Sequence, residues 1–241
     1  MEAVLLASLG LSPAVVTETV DALLDEGVRL KRVYVFTTSL DDIWNECIPL
    51  LMEEFGRRYP DIRLICKEFT TIKKDDIYNE EDNAEFMRKV GAVMAFERSE
   101  GNEIYISMAG GRKTMSAAMA LLGQLYGAKA IVHVLVPEEI ERKGYIKTLK
   151  SLPPKERERV MHPSREVRRL VIFPVIAIPW SVDEVMKALS GKGASEEVLK
   201  ILKSSGLLDE EGKPTRAGEL ILRVLKESMN FAVKHLKRGG P

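Results

Sequence analysis

Residues 107–116 read S-M-A-G-G-R-K-T-M-S, and they share Ser107 with the short run E-I-Y-I-S at residues 103–107. A run rich in β-branched and aromatic residues that ends at glycines predicts a strand and then a turn. The apolar pattern from residue 113 to residue 126 predicts a helix, and Gly127 predicts its end. The stretch is therefore typical of a strand–turn–helix unit of an α/β fold.

The turn in this unit combines the groups that bind an anion. Gly110 and Gly111 allow the backbone to turn sharply and to approach a ligand closely. The following helix directs its free N–H groups and positive dipole end at the turn, where Arg112, Lys113 and Thr114 add two cations and a hydroxyl. The pattern is not a Walker A motif, which needs GxxxxGK[ST]. An ordinary turn with solvated charges is the alternative, and the glycine pair favours the anion site.

The rest of the first three-quarters of the chain repeats this alternation. Residues 3–7 form a first apolar run, and Pro13 opens a helical pattern that Gly27 ends, with Ser12 where an N-cap is expected. Further strands are predicted at residues 32–37, 62–66 and 130–136, and further helices at residues 41–57 and 83–98. Short connections between alternating strands and helices indicate a mostly parallel sheet flanked by helices.

In such a sheet, ligands bind beyond the carboxyl ends of the strands. The candidate ligand-binding residues are therefore Ser8, Leu9 and Gly10 after the first strand, Thr37, Thr38 and Ser39 after the second, and Ala109, Gly110, Gly111, Arg112 and Thr114 after the fourth. Two of these groups have a simpler alternative, since Ser12 can be only a helix cap and residues 37–39 can be a capping run before Asp41. Trp44 is expected to pack in the core rather than to stack on a base.

Composition narrows the classes of function. The 241 residues are 45% apolar and carry 36 Lys and Arg against 36 Asp and Glu, so no overall basic field attracts nucleic acid. Cys47 and Cys66 lack metal-cluster spacing and suggest no disulfide framework, which suits a reducing cytoplasm. No stretch approaches the ~20 apolar residues of a membrane span, and no signal peptide is expected. No metal or other cofactor is expected.

From residue 137 onward, the sequence no longer shows a regular alternation of strands and helices. Residues 137–169 are charged and predict a hairpin or short helices, residues 170–178 predict a last strand, and Pro179-Trp180 marks a boundary. We therefore expect an α/β domain at residues 1–179 and a small helical domain at residues 180–241. Its helices are expected at residues 182–189, 195–204 and 217–236.

The spacing of these last helices is typical of a helix-turn-helix or winged-helix unit. Between residues 180 and 241 there are 11 Lys and Arg against 9 Asp and Glu, and the expected recognition helix begins with Glu196 and Glu197. Recognition helices read bases with their first residues, where two carboxylates would repel phosphates. DNA binding is therefore disfavoured.

Two stretches resemble a known family. Residues 5–20 (L-L-A-S-L-G-L-S-P-A-V-V-T-E-T-V) and 107–116 are similar to the signature stretches of the CRISPR-associated Rossmann fold (CARF) family, and the resemblance covers roughly residues 1–180. It implies a Rossmann-like domain that forms a homodimer and binds cyclic tetra- or hexa-adenylate across the two-fold axis. Some members only sense the ring, whereas others, the ring nucleases, cut it.

The resemblance leaves two functions open, and the acidic start of the expected recognition helix favours the first. A ring nuclease would cut the ring without metal, by attack of a ribose 2′-OH on its own 3′ phosphate, and Ser12 and Lys113 would be its catalytic residues. A CARF transcription regulator or sensor would instead act through the C-terminal unit. The R-x4-6-H motif of HEPN ribonucleases is matched by Arg157 and His162, but this pair lies between two predicted strands and is not expected to be catalytic.

Overall fold

The computed structural model describes residues 2–175 and 181–236. The strands of this part of the chain are β1 (Ala3–Ser8), β2 (Leu30–Thr38), β3 (Arg63–Ile65), β4 (Thr71–Ile72), β5 (Glu103–Ser107), β6 (Ala130–Leu135) and β7 (Arg169–Phe173). The α-helices are α1 (Ala14–Asp25), α2 (Ile48–Arg58), α3 (Glu80–Ser99), α4 (Lys113–Tyr126), α5 (Glu138–Lys143), α6 (Ile146–Ser151), α7 (Pro154–Met161), α8 (Val182–Leu189), α9 (Glu196–Ser204) and α10 (Arg216–His235). No helix in these ranges is long and apolar enough to cross a membrane.

The strands form one sheet in the order β3-β2-β1-β5-β6-β7, with the short β4 beside the end of β2. All pairings are parallel except that of β6 with β7, which is antiparallel. Near the carboxyl end of β1, Ala7 pairs with Ser107 of β5 and Ser8 pairs with Phe36 of β2. The turns after β1, β2 and β5 therefore leave the sheet at the same edge and at the same level.

The predicted α/β class and mostly parallel sheet are confirmed. The strand at residues 103–107 is fifth rather than fourth in chain order, because β4 precedes it. A π-helical turn, Ile43–Cys47, leads into α2, and residues 137–169 form three short helices. The expected last strand ends at Phe173 and runs antiparallel, while residues 176–180, with the Pro179-Trp180 boundary, lie outside the described residues.

Two hydrophobic clusters cover the two faces of the sheet, because successive side chains of a strand point to opposite faces. On β1, Leu6 packs in one cluster with Phe36 and Phe86, and Leu5 packs in the other with Val35; all five are fully buried or nearly so. Helices α3 and α4 contribute to the first cluster, and α1, α2, α6 and α7 contribute to the second. Side chains on both faces therefore hold the central strands, and with them the edge where β1 and β5 end.

The C-terminal helices pack on the first cluster. Val185 and Val224 belong to the cluster that also contains Phe86, and Ser228 of α10 donates a hydrogen bond to the Arg88 carbonyl of α3 at 3.0 Å. A β-bridge between Leu208 and Pro214 closes a short hairpin between α9 and α10. The division at residue 180 and the winged-helix likeness of this unit stay predictions.

Candidate functional site

The turns after β1 and β5 touch each other at the carboxyl edge of the sheet. The Ser8 hydroxyl donates a hydrogen bond to the Gly110 carbonyl at 2.9 Å. Gly110 and Gly111 have φ angles of +89° and +70°, which favour glycine. A Cβ on Gly110 would lie 2.6 Å from the Ser8 carbonyl oxygen, and one on Gly10 would lie 3.4 Å from the Gly111 Cα. Glycine at these positions therefore permits the backbone contact between the two turns.

Two cavities flank this contact, and Gly10, Leu11 and Gly111 line both of them. The first, here called the Glu18 cavity, has a volume of about 280 Å³, and its other lining residues include Ser12, Glu18, Gly110, Glu141 and Gly144. The second, the Asp76 cavity, has a volume of about 190 Å³, and its other lining residues include Leu9, Thr38, Asp75, Asp76 and Arg112. Both predicted anion-binding turns therefore border open space.

Glu18 is the buried acid of the first cavity. The residue is 3% exposed, and within the described residues its carboxyl has neither a hydrogen bond nor an ion pair. Burial, reinforced by the charge of Glu141, raises the pKa of the Glu18 carboxyl to about 7. This carboxyl can therefore gain or lose a proton near neutral pH.

Asp76 is the paired acid of the second cavity. Both oxygens of its carboxylate accept hydrogen bonds from the Arg112 guanidinium, with 2.8 Å between Nε and Oδ1. The Ile77 N–H adds a further bond to Oδ1 at 2.8 Å. The hydrogen bond from Arg112 lowers the pKa of Asp76 below its usual value. One of the two predicted phosphate-binding cations is therefore already neutralised by an internal acid.

The side chains of the two predicted catalytic residues both lack a protein partner in the part of the chain that the structure describes. Lys113 is exposed at the first position of α4, beside the glycine turn. Ser12 is half-buried and lines the Glu18 cavity. The expectation that Ser12 caps its helix is wrong, because Pro13 occupies the cap position and no side chain caps α1. The Ser12 hydroxyl is therefore free to bind another group.

Several predicted ligand-binding residues hold the site together instead of lining open space with their polar groups. Ser8, Leu9, Thr37 and Ala109 are buried, and Thr37 Oγ1 donates to the Leu9 carbonyl at 3.1 Å. The Thr38 carbonyl accepts a hydrogen bond from the Trp44 indole at 3.1 Å, which confirms that Trp44 packs.

Two others, Ser39 and Thr114, are exposed, and neither lines the two cavities. The backbone N–H of Ser39 donates to the Lys74 carbonyl at 2.7 Å, while Thr114 belongs to the first turn of α4. For these residues, as for the buried ones, contact with a ligand stays a prediction.

The acids of the site were not singled out from the sequence. Glu18 lies inside residues 5–20 and one helical turn after Ala14, which also lines the cavity, so a charged residue on the buried face of a helix was the available signal. Asp75, Asp76 and Glu141 come from distant loops and helices, and their position at the site depends on long-range packing.

A second buried polar cluster lies on α1, α2 and the end of α7. His162 Nδ1 lies 3.0 Å from Asp21 Oδ2, and Nε2 lies 3.2 Å from Glu54 Oε2. Burial would raise the pKa of Asp21, but hydrogen bonds from His162 and Tyr59 outweigh burial and lower it.

The same cluster contains the one group of potential metal ligands among the described residues, namely Glu54, Glu158 and His162. Its two carboxylates already bind the Arg57 guanidinium. Arg157 donates to the carbonyls of Lys150 and Leu152, so the R-x4-H pair is engaged in packing.

Comparisons with known proteins extend these observations. The family model of CRISPR-associated protein NE0113 (Cas_NE0113) matches residues 12–207, which is more than half of the chain. The CRISPR system ring nuclease SSO2081 of Saccharolobus solfataricus is 28% identical over 153 residues, which cover 62% of this chain and 81% of the relative.

Two solved structures are similar at low sequence identity. Csm6 of Enterococcus italicus, bound to cyclic hexa-2′-fluoro-hexa-dAMP, has a TM-score of 0.47 and 14% identity, and the match covers 98% of this chain and 55% of Csm6. Can2 of Sulfobacillus thermosulfidooxidans, in complex with cyclic tetra-adenylate, has a TM-score of 0.38 and 12% identity, and the match covers 98% and 67%. The chain thus spans about half the length of the Csm6 chain.

Proposed function

Because the chain belongs to the family of CRISPR-associated protein NE0113, we propose that it binds a cyclic oligoadenylate and cleaves the ring. The relative in Saccharolobus solfataricus that is named a ring nuclease supports this proposal. One observation carries it: two glycine turns meet at one sheet edge, beside a free lysine and a free serine hydroxyl. The proposed active form is a homodimer that holds one ring across its two-fold axis.

Binding follows from the charge and shape of this edge. The N-terminus of α4 offers unpaired N–H groups and the positive end of a helix dipole, and Lys113 adds a mobile cation at the same place. Gly110 and Gly111 leave room for a phosphate to approach the backbone. Arg112 contributes a second cation once its carboxylate partner is displaced.

Cleavage needs alignment and charge stabilisation. The 2′-OH of one ribose attacks the adjacent phosphorus in line, the bond to the 5′-oxygen breaks, and the product ends in a 2′,3′-cyclic phosphate and a 5′-OH. Ser12 holds the ribose or a phosphate oxygen through its free hydroxyl, and Lys113 stabilises the negative charge that grows on the phosphate. This scheme uses no metal ion.

Incubation of the purified protein with labelled cyclic tetra- and hexa-adenylate tests the proposal. Wild-type protein should open one of the rings in EDTA, and Ser12→Ala should lower the single-turnover rate more than it lowers ring affinity. A protein that binds a ring tightly and leaves it intact would be a sensor, with its output in the C-terminal helices.

A second test compares a lysine at the carboxyl ends of the strands with a lysine near their amino ends. Lys113→Ala should weaken ring binding by ~1.5–3 kcal/mol, the range for a charge-assisted contact. Lys31→Ala is the control, because Lys31 is an exposed lysine on β2 near the amino ends of the strands. Equal losses from the two variants, measured by calorimetry, would mean that the chain attracts the ring by general charge and not at the glycine turns.

A further inference from the structure

Glu18 lies at the proposed site, but the cleavage reaction described so far gives its carboxyl no role. It projects from the second turn of α1 and lines the Glu18 cavity together with Ser12, Gly110 and Gly111. It is 3% exposed, and in the described ranges 2–175 and 181–236 no group forms a hydrogen bond or ion pair with its carboxyl. Buried carboxyl groups without a partner are costly, and such groups concentrate at functional sites.

The charged groups around Glu18 leave its carboxyl uncompensated. Glu141 of α5 faces it across the cavity, and Asp21 follows it on α1; both charges disfavour ionisation of Glu18. Among the described residues, Arg168, which precedes β7, is the cation that acts on Glu18 in the opposite sense, and its guanidinium is bonded to Asp25 at 2.6 Å and to the Pro163 carbonyl.

A bound phosphate would raise the pKa of the Glu18 carboxyl further. Burial already raises the pKa of Glu18 to about 7, and a nearby anion disfavours the ionised form still more. A phosphate bound at this cavity would therefore favour the protonated carboxyl at neutral pH, and its O–H could donate a hydrogen bond to the ligand.

We infer that Glu18 is the general acid of the proposed cleavage and donates its proton to the departing 5′-oxygen. This inference rests on the proposed function. As the 2′-oxygen forms its bond to phosphorus, it releases its proton to solvent, and the bond between phosphorus and the 5′-oxygen breaks. The 5′-oxygen leaves as a hydroxyl with the proton of Glu18, and solvent returns one proton to the Glu18 carboxylate. A protonated leaving group matters because an alkoxide leaves poorly.

The first test compares Glu18→Gln with Glu26→Gln, a control at an exposed glutamate that follows the end of the same helix and lines neither cavity. Glu18→Gln should lower the single-turnover rate on the ring by about 100-fold or more, the usual contribution of a general acid, and change ring affinity less than about threefold. Glu26→Gln should cleave at close to the wild-type rate. The wild-type rate should fall on the alkaline side of its pH profile, and the profile of Glu18→Gln should lack that fall.

The second test separates proton donation from a structural role. In a ring whose scissile 5′-oxygen is replaced by sulfur, the leaving thiolate needs no proton, so Glu18→Gln should cleave this ring at nearly the wild-type rate. A variant that is equally slow on both rings, or as fast as wild type on the natural ring, would overturn the assignment of Glu18. Wild-type protein that cleaves neither ring would instead overturn the proposed function itself.

Discussion

The two cavities beside the glycine turns each contain an acid, and the two acids are in opposite states. Asp76 is half-buried and is held by both arms of the Arg112 guanidinium. Glu18 is buried and has no bonded partner among the described residues. The first arrangement lowers a carboxyl pKa and the second raises one, although both cavities share Gly10, Leu11 and Gly111 as a wall.

Because one acid is paired and the other is not, the Asp76 cavity and the Glu18 cavity are suited to different chemistry. A paired acid keeps an arginine in place until an anion of the ligand replaces it, so the Asp76 cavity is suited to charge recognition. An unpaired, desolvated acid is suited to proton transfer near neutral pH, which is a property of the Glu18 cavity.

The contact between the turns after β1 and β5 should be the most sensitive part of the site, and Gly110 makes this contact with Ser8. In Gly110→Ala, the positive φ costs ~1–2 kcal/mol, and the clash of the new Cβ with the Ser8 carbonyl at 2.6 Å adds ~1–3 kcal/mol. Gly101→Ala is the matched control, because Gly101 has a φ of +75° but no atom within 4 Å of a Cβ. Urea unfolding should show a much larger loss for Gly110→Ala, together with loss of ring binding. Similar losses for the two variants would mean that the turns do not press on each other.

The second prediction concerns the pH dependence of stability at Glu18. Folding raises the pKa of the Glu18 carboxyl from 4.5 to about 7. The unfolding free energy that Glu18 contributes is therefore fully present below pH 4.5 and is lost as the pH rises through about 7. Between pH 4.5 and pH 8.5, wild-type protein should lose about 3 kcal/mol of unfolding free energy that Glu18→Gln keeps. Urea titrations at both pH values measure this difference. A constant offset between the two proteins would show that Glu18 is solvated.

The local part of the site could be predicted from the sequence. The bounds of β5 and α4 coincide with the predicted residues 103–107 and 113–126, and Gly127 is left-handed as a helix end requires. A β-branched run, a glycine pair and an apolar helical period are signals within a few residues of each other, so no tertiary contact was needed to interpret them.

The remaining features depend on contacts that no local pattern encodes. Asp76 reaches Arg112 from 36 residues away, and Glu141 closes the Glu18 cavity from α5. Short helices are one of the two predictions for residues 137–169, but the path of these helices, which leads into an antiparallel β7, has no signal in the sequence. Ser12 failed as a cap because Pro13 already has helical backbone angles and takes the cap position itself.

The smallest effect is expected at the paired acid, and its sign should be opposite to that of Glu18. Arg112 lowers the pKa of Asp76, so the stability from this pair is present above the unfolded pKa and is lost as the pH falls through the folded one. The Arg112 side chain is largely exposed, so solvent screens the pair and its contribution to stability is small. Asp76→Asn should therefore barely change stability at neutral pH.

The same substitution should tighten ring binding, because Arg112 would no longer exchange an internal carboxylate for a ligand phosphate. A gain of no more than about fivefold is expected, because an exposed pair contributes little. Calorimetry on a double-mutant cycle measures it: Asp76→Asn should tighten binding in the wild-type background and have no effect in Arg112→Gln. Glu103→Gln is the control, since it removes a comparable exposed partner from Lys129 near the amino end of β5. Weaker binding by Asp76→Asn would mean that Asp76 itself contacts the ring, and both cavities would then use their acids on the ligand.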